Sequence, residues 1–127
     1  MLLDTHCLLW ALSGDSRLSE SARRHYESDT YLCYSVVSLW EIGIKLGWTR
    51  KDFRLEETWW RSIPQTLAAQ GIDCLHVEAE DRRDVAKLSL HHRDPFDRML
   101  VVQAMRKDVP ILSADPKLDA YPVDRIW

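Results

Sequence analysis

Cysteine is scarce: Cys7, Cys33 and Cys74 make an odd number, set far apart, with no Cys-x-x-Cys pair. That excludes a disulfide framework or a cysteine zinc site, and predicts reduced core thiols in a cytoplasmic protein. Long apolar runs are lacking too, and none approaches the ~20 residues that span a bilayer. Positive charge is in deficit, with 17 Lys and Arg against 20 Asp and Glu and a net charge of −3. A histone-like protein that grips nucleic acid by bulk charge is thereby excluded. An enzyme that reaches nucleic acid through cations held on carboxylates stays open, because it needs local acidity. The opening Met1-Leu2-Leu3-Asp4 has no basic region and meets a charge at once. No secretion signal is expected from it, and the expected location is cytoplasmic. Repeats, low-complexity tracts and long linkers are also missing. At 127 residues, 46% hydrophobic and 29% charged, residues 1–127 are expected to form one ordinary globular domain.

Only four glycines occur, and three close apolar-periodic stretches: Gly14 after residues 5–13, Gly47 after 36–46, Gly71 after 56–70. Glycine just past a helix end takes the left-handed backbone that stops it, so these stretches are predicted helices. Residues 79–90 and 96–107 carry further helical patterns. Short apolar runs at 1–3, 31–34, 72–77, 110–113 and 123–127 have strand character. Strands alternating with helices of this length predict an α/β fold. The expectation is a three-layer α/β/α sandwich with a central parallel, roughly five-stranded sheet. In open parallel sheets the working site lies at the carboxyl ends of the strands, so polar residues directly after the apolar runs are the candidates for chemistry.

Asp4 follows the first run and stands at a helix start, where it also serves as an N-cap. The helix at 36–46 is apolar almost all round, which marks it as buried. Yet Ser35, Ser38, Glu41 and Lys45 share one narrow polar stripe along it. A buried carboxylate must be paired, protonated or bound to a cation, and a Glu41–Lys45 pair is the plain alternative. Asp94, Pro95 and Asp97 read as N-cap, N1 and N3 of a capping-box-like start. Asp115 and Pro116 repeat the device after the fourth strand. Capping thus accounts for each Asp singly. If the first and fourth strands are neighbours, however, Asp4, Glu41, Asp97 and Asp115 converge. Four carboxylates in one pocket repel unless divalent cations neutralise them. Oxygen-only ligands favour Mg²⁺ or Mn²⁺ over zinc, ions that activate water for in-line displacement at phosphorus.

The blocks LDTHCLLWAL, SVVSLWEIGIKLG, HHRDPFDRMLVVQA and ILSADPKLDAYPVDRIW resemble, in that order and over nearly the whole chain, the PIN domain family. More narrowly they are similar to its VapC-type ribonuclease toxins. His6 is a departure, since many PIN domains have Asn there. The resemblance implies a metal-dependent endoribonuclease whose acids carry over as Asp4, Glu41, Asp97 and Asp115, holding Mg²⁺ or Mn²⁺, with Asp94 as an additional acid. It implies RNA as substrate, cut to a 5′-phosphate and a 3′-hydroxyl, a homodimer, and a VapB-type antitoxin that sends a side chain into the acidic pocket. Two alternatives stand beside it. One is a metal-dependent nuclease or phosphatase outside a toxin–antitoxin system; the other is a catalytically idle PIN-like module that only binds a partner.

Thr5, Ser38 and Ser113 adjoin the acids and are candidates for orienting carboxylates or water. Arg98, next to Asp97, and Lys45, one turn beyond Glu41, are the candidates for RNA phosphate contacts. Trp48, Phe53, Leu55, Trp59 and Trp60 make the stretch from 48 to 70 either a packed helix or an apolar surface for a second copy or an inhibitor. Trp127 is expected to cover an edge or end of the sheet. Adjacent histidines seldom point the same way, so His91 and His92 with Asp94 are not expected to form a transition-metal site.

Overall fold

Alternation of side chains across short, buried strands builds this molecule. The computed structural model describes residues 1–28, 31–48 and 55–127. Its strands are β1 (Leu2–Leu3), β2 (Cys33–Ser35), β3 (Asp73–Leu75), β4 (Ile111–Leu112) and β5 (Arg125–Ile126). All pair in parallel, in the order β3-β2-β1-β4-β5. The register sets Leu2 beside Cys33 and Ile111, and Leu3 beside Tyr34 and Leu112. Successive residues of a strand face opposite ways. Leu3, Tyr34 and Leu112 therefore join one core with Leu8, Ile42 and Leu67. Leu2, Cys33 and Ile111 enter a second core with Leu100, Val101 and Leu118. Two cores on opposite faces of one parallel sheet are the expected α/β/α sandwich.

The first core is closed by α1 (Thr5–Ser13), α2 (Glu20–Glu27), α3 (Val36–Trp48) and α4 (Trp59–Ala69). The second is closed by α6 (Pro95–Lys107) and a 3₁₀ turn at Pro116–Ala120, with α5 (Ala79–Lys87) packed along α6. Gly14 stops α1 as predicted, at φ 64°, its amide donating to the Ala11 carbonyl. Gly47 does not stop its helix, because α3 runs on to Trp48. Helix α2 was not among the predicted elements. Leu18, Ala22 and Tyr26, four apart, turn it onto the first core, and the Ser19 hydroxyl caps it by accepting from the Ala22 amide at 3.0 Å.

Leu55 and Trp59 pack against the first core, but within the described part of 48–70 past α3 the chain becomes helical again only from Trp59. Trp60 stays exposed with the Arg61 guanidinium over its ring. Phe53 lies outside the described residues. Trp127, just past edge strand β5, meets the Trp10 ring of α1 at 5.9 Å. The three cysteines are free thiols. Among the described residues no helix is long and apolar enough to cross a membrane.

Strand β1 touches both β2 and β4. The chain winds outward from β1 to β3, then returns across it to β4. Where that direction reverses, a crevice opens at the carboxyl ends of β1 and β4.

Candidate metal centre

Asp4 is the first residue after β1, and both its oxygens are engaged. Oδ1 accepts the His6 amide at 3.0 Å, which caps α1. Oδ2 accepts the Ser113 hydroxyl at 2.5 Å. Ser113 follows β4, is fully buried, and accepts the Asp115 amide at 3.1 Å. One hydroxyl thus ties the two strand ends together across the crevice. Asp115 caps the 3₁₀ turn, its Oδ1 accepting from the Lys117 amide at 2.9 Å. Capping and an inward-facing second oxygen coexist here, because a carboxylate has lone pairs for both.

Glu41 enters from α3 and is 2% exposed. Its Oε2 accepts the Thr5 hydroxyl at 2.5 Å, and its Oε1 holds the Lys45 ammonium one turn on. Burial opposes the charge of Lys45, but Glu41, Asp94 and Asp97 outweigh it and raise its pKa. Lys45 is therefore a counter-ion inside the acid pocket. Ser38, three residues before Glu41 and on the same face of α3, is fully buried, and its hydroxyl has no hydrogen-bond partner among the described residues.

Asp97 arrives on the first turn of α6. Asp94 caps that helix, accepting the Phe96 amide at 2.9 Å. The reciprocal half of a capping box would give the Asp94 amide to Asp97. It goes instead to Nδ1 of His92, at 3.0 Å, which corrects the capping-box expectation and releases Asp97 toward the crevice. The Nε2 of His92 then lies 2.9 Å from Asp115 Oδ2 and 3.4 Å from Asp97 Oδ2. Ligand atoms of His92, Asp97 and Asp115 all fall within 4.8 Å of one another. Burial first, then the charges of Asp4, Asp94 and Glu41, push the Asp97 pKa up to about 7. Loss of water and the approach of further anions both disfavour the charged form of an aspartate.

Sequence reasoning missed His92. Its neighbour His91 does turn away, edge-on to the Tyr121 ring, but His92 itself is buried among the acids. Arg98, read from the sequence as a phosphate contact, is turned toward the end of α5. Its guanidinium donates to the carbonyls of Val85 (3.0 Å), Leu88 (2.9 Å) and Ser89 (2.8 Å), which end α5.

Among the described residues, His92, Asp97 and Asp115 bring ligand atoms together as a metal site would, and the charges of Asp4, Asp94 and Glu41 act on the same cluster, a setting that suits a divalent cation. The unpartnered Ser38 hydroxyl and the retained Asp97 proton both fit a pocket built for a cation and its water.

The sequence model of the PIN domain matches residues 1–124. No curated protein matches the chain. Among solved structures it is similar to VapBC2 from Rickettsia felis bound to a DNA fragment from their promoter. The TM-score is 0.69 at 12% identity, over 99% of this chain and 98% of that one. A toxin–antitoxin complex from Klebsiella pneumoniae is similar at TM-score 0.66 and 12% identity, over 99% and 95% of the two chains. FitAB bound to an IR36 DNA fragment gives 0.66 and 14%, over 98% and 92%. At such identities the likeness is one of fold. With 124 matched residues joined to a five-stranded parallel sheet and acids at its switch point, this chain belongs to the PIN domain family.

Proposed function

We propose that the protein is a metal-dependent endoribonuclease and the toxin of a VapBC-type toxin–antitoxin pair. The observation that carries this reading is the gathering of side-chain ligand atoms of His92, Asp97 and Asp115 within 4.8 Å of one another, with Asp4 tied to them through Ser113, since acids so close are costly without a cation to share. Asp4, Glu41, Asp97 and Asp115 would hold Mg²⁺ or Mn²⁺, which supplies the charge that activates water and offsets charge building on phosphorus. The chain's own groups prepare for it. Ser113 and Thr5 fix one oxygen each of Asp4 and Glu41, and Lys45 offsets the charge of Glu41. Asp97, whose proton is held to about pH 7, would release it on holding a cation.

The toxin role draws on the similarity to VapBC2, to the Klebsiella complex and to FitAB, and implies a VapB-type antitoxin and a cytoplasmic setting. We place the homodimer contact on α3 and α6 rather than on residues 48–70. Trp40 is 65% exposed and stands edge-on to Phe96 at 5.4 Å. Both flank an apolar groove of ≈ 480 Å³ completed by Val36, Val37, Val85 and Met99, a surface suited to a second copy.

The test is incubation of the purified protein with total RNA and Mg²⁺ or Mn²⁺, with EDTA and Asp4→Asn as controls. Cleavage that both controls abolish is expected. Cleavage indifferent to both overturns the reading, and no cleavage under any condition favours a binding module.

A further inference from the structure

His92 joins two parts of the acid cluster that the chain delivers separately, the α6 start and the end of β4. Its side chain is buried, and its backbone amide is anchored on the Tyr121 hydroxyl at 2.8 Å. The Asp94 amide donates to Nδ1 at 3.0 Å. An amide N–H can only donate, so Nδ1 carries no proton. A neutral imidazole then keeps its one proton on Nε2, the atom 2.9 Å from Asp115 Oδ2 and 3.4 Å from Asp97 Oδ2. With that proton in place, Nε2 has no lone pair to give an ion. The spacing of His92, Asp97 and Asp115 resembles a three-ligand site, but the hydrogen-bond pattern makes the histidine a donor to the ligands.

We infer that His92, as an Nε2–H donor held by the Asp94 amide, is a positioning residue that sets the Asp97 and Asp115 carboxylates for a divalent cation without touching the cation. This rests on the metal-dependent reading above. The bond to Asp115 and the approach to Asp97 settle which lone pairs remain for an ion, as partners behind metal ligands generally do.

Two substitutions separate the two ends of the ring. Asparagine places a carbonyl near the position of Nδ1, so His92→Asn keeps an acceptor for the Asp94 amide and loses the donor to Asp115. Glutamine places an amide N–H near the position of Nε2, so His92→Gln keeps the donor and loses the acceptor. Calorimetric titration with Mn²⁺, alongside Tm in EDTA, reads both. We expect His92→Asn to keep its Tm and bind Mn²⁺ about 10–100-fold more weakly. His92→Gln should bind Mn²⁺ close to wild type at a lowered Tm. Wild-type affinity in His92→Asn overturns the inference. So does an equal loss in both variants, the result expected of a metal ligand. If His92→Asn fails to fold, His92→Gln decides alone: retained affinity supports the inference and loss overturns it. A wild-type protein that binds no Mn²⁺ sinks the metal-dependent reading itself, and the inference with it.

Discussion

Burial and the charge of Asp4 hold the Asp97 proton up to about pH 7 in the metal-free protein. The unfolded chain, with an ordinary aspartate near pKa ~4, gives that proton up far sooner. The native state thus binds more protons across this window. Stability from this group is greatest below pH ~4 and is lost as pH climbs to about 7. In EDTA, Asp97→Asn should therefore gain on wild type in urea denaturation between pH 5 and pH 8; a gap that does not widen contradicts the assignment. Ser113→Ala removes the donor to Asp4 and the acceptor for the Asp115 amide, in a fully buried place. A loss of about 1–3 kcal/mol is expected from the same measurement. The acids were legible in the sequence because each follows a strand or lies on a polar stripe, and Thr5 and Ser113 were legible as their neighbours. His92 was not, because its decisive partner lies 23 residues on, and a local pattern shows only two adjacent histidines. The contacts of Arg98 with Val85, Leu88 and Ser89 were not legible from its place next to Asp97, because consecutive residues of a helix point about 100° apart.

Elements show the same division between local and distant causes. Strands of two or three residues were legible as short apolar runs because both faces of the sheet are covered. The α2 helix was overlooked because its apolar side is only Ala22 and the partly buried Tyr26, with Leu18 just before it, amid charge. Helix α5 stops at Lys87, short of the predicted 90, where Arg98 takes up the carbonyls of its last turn. Arg98→Ala should cost about 1–3 kcal/mol and speed amide exchange near the end of α5, with Mn²⁺ affinity unchanged. Unchanged exchange and stability would overturn this role for Arg98.

Across the whole molecule, a cation shared on the proposed site by residues of α1, α3, α6 and the end of β4 would link ion binding to folding. An ion that binds only the native state adds about 2.7 kcal/mol at a hundred times its Kd. Mn²⁺ should raise the Tm of wild type well above that of Asp4→Asn, and equal shifts would move the ion off this cluster. Trp40→Glu should turn a dimer into single chains by light scattering, with the far-ultraviolet circular dichroism unchanged; a wild type already monomeric removes the surface from consideration. The parallel order was legible from alternation, but the adjacency of β1 and β4 was a condition that only the sheet could meet. Asp4 takes its hydroxyl donor from a residue 109 positions later, and β1 lies directly against β4. On the proposed activity, a nascent polypeptide that has not yet reached the fourth strand would be inert toward its own messenger RNA. The reacting centre does not exist until synthesis has passed the fourth strand.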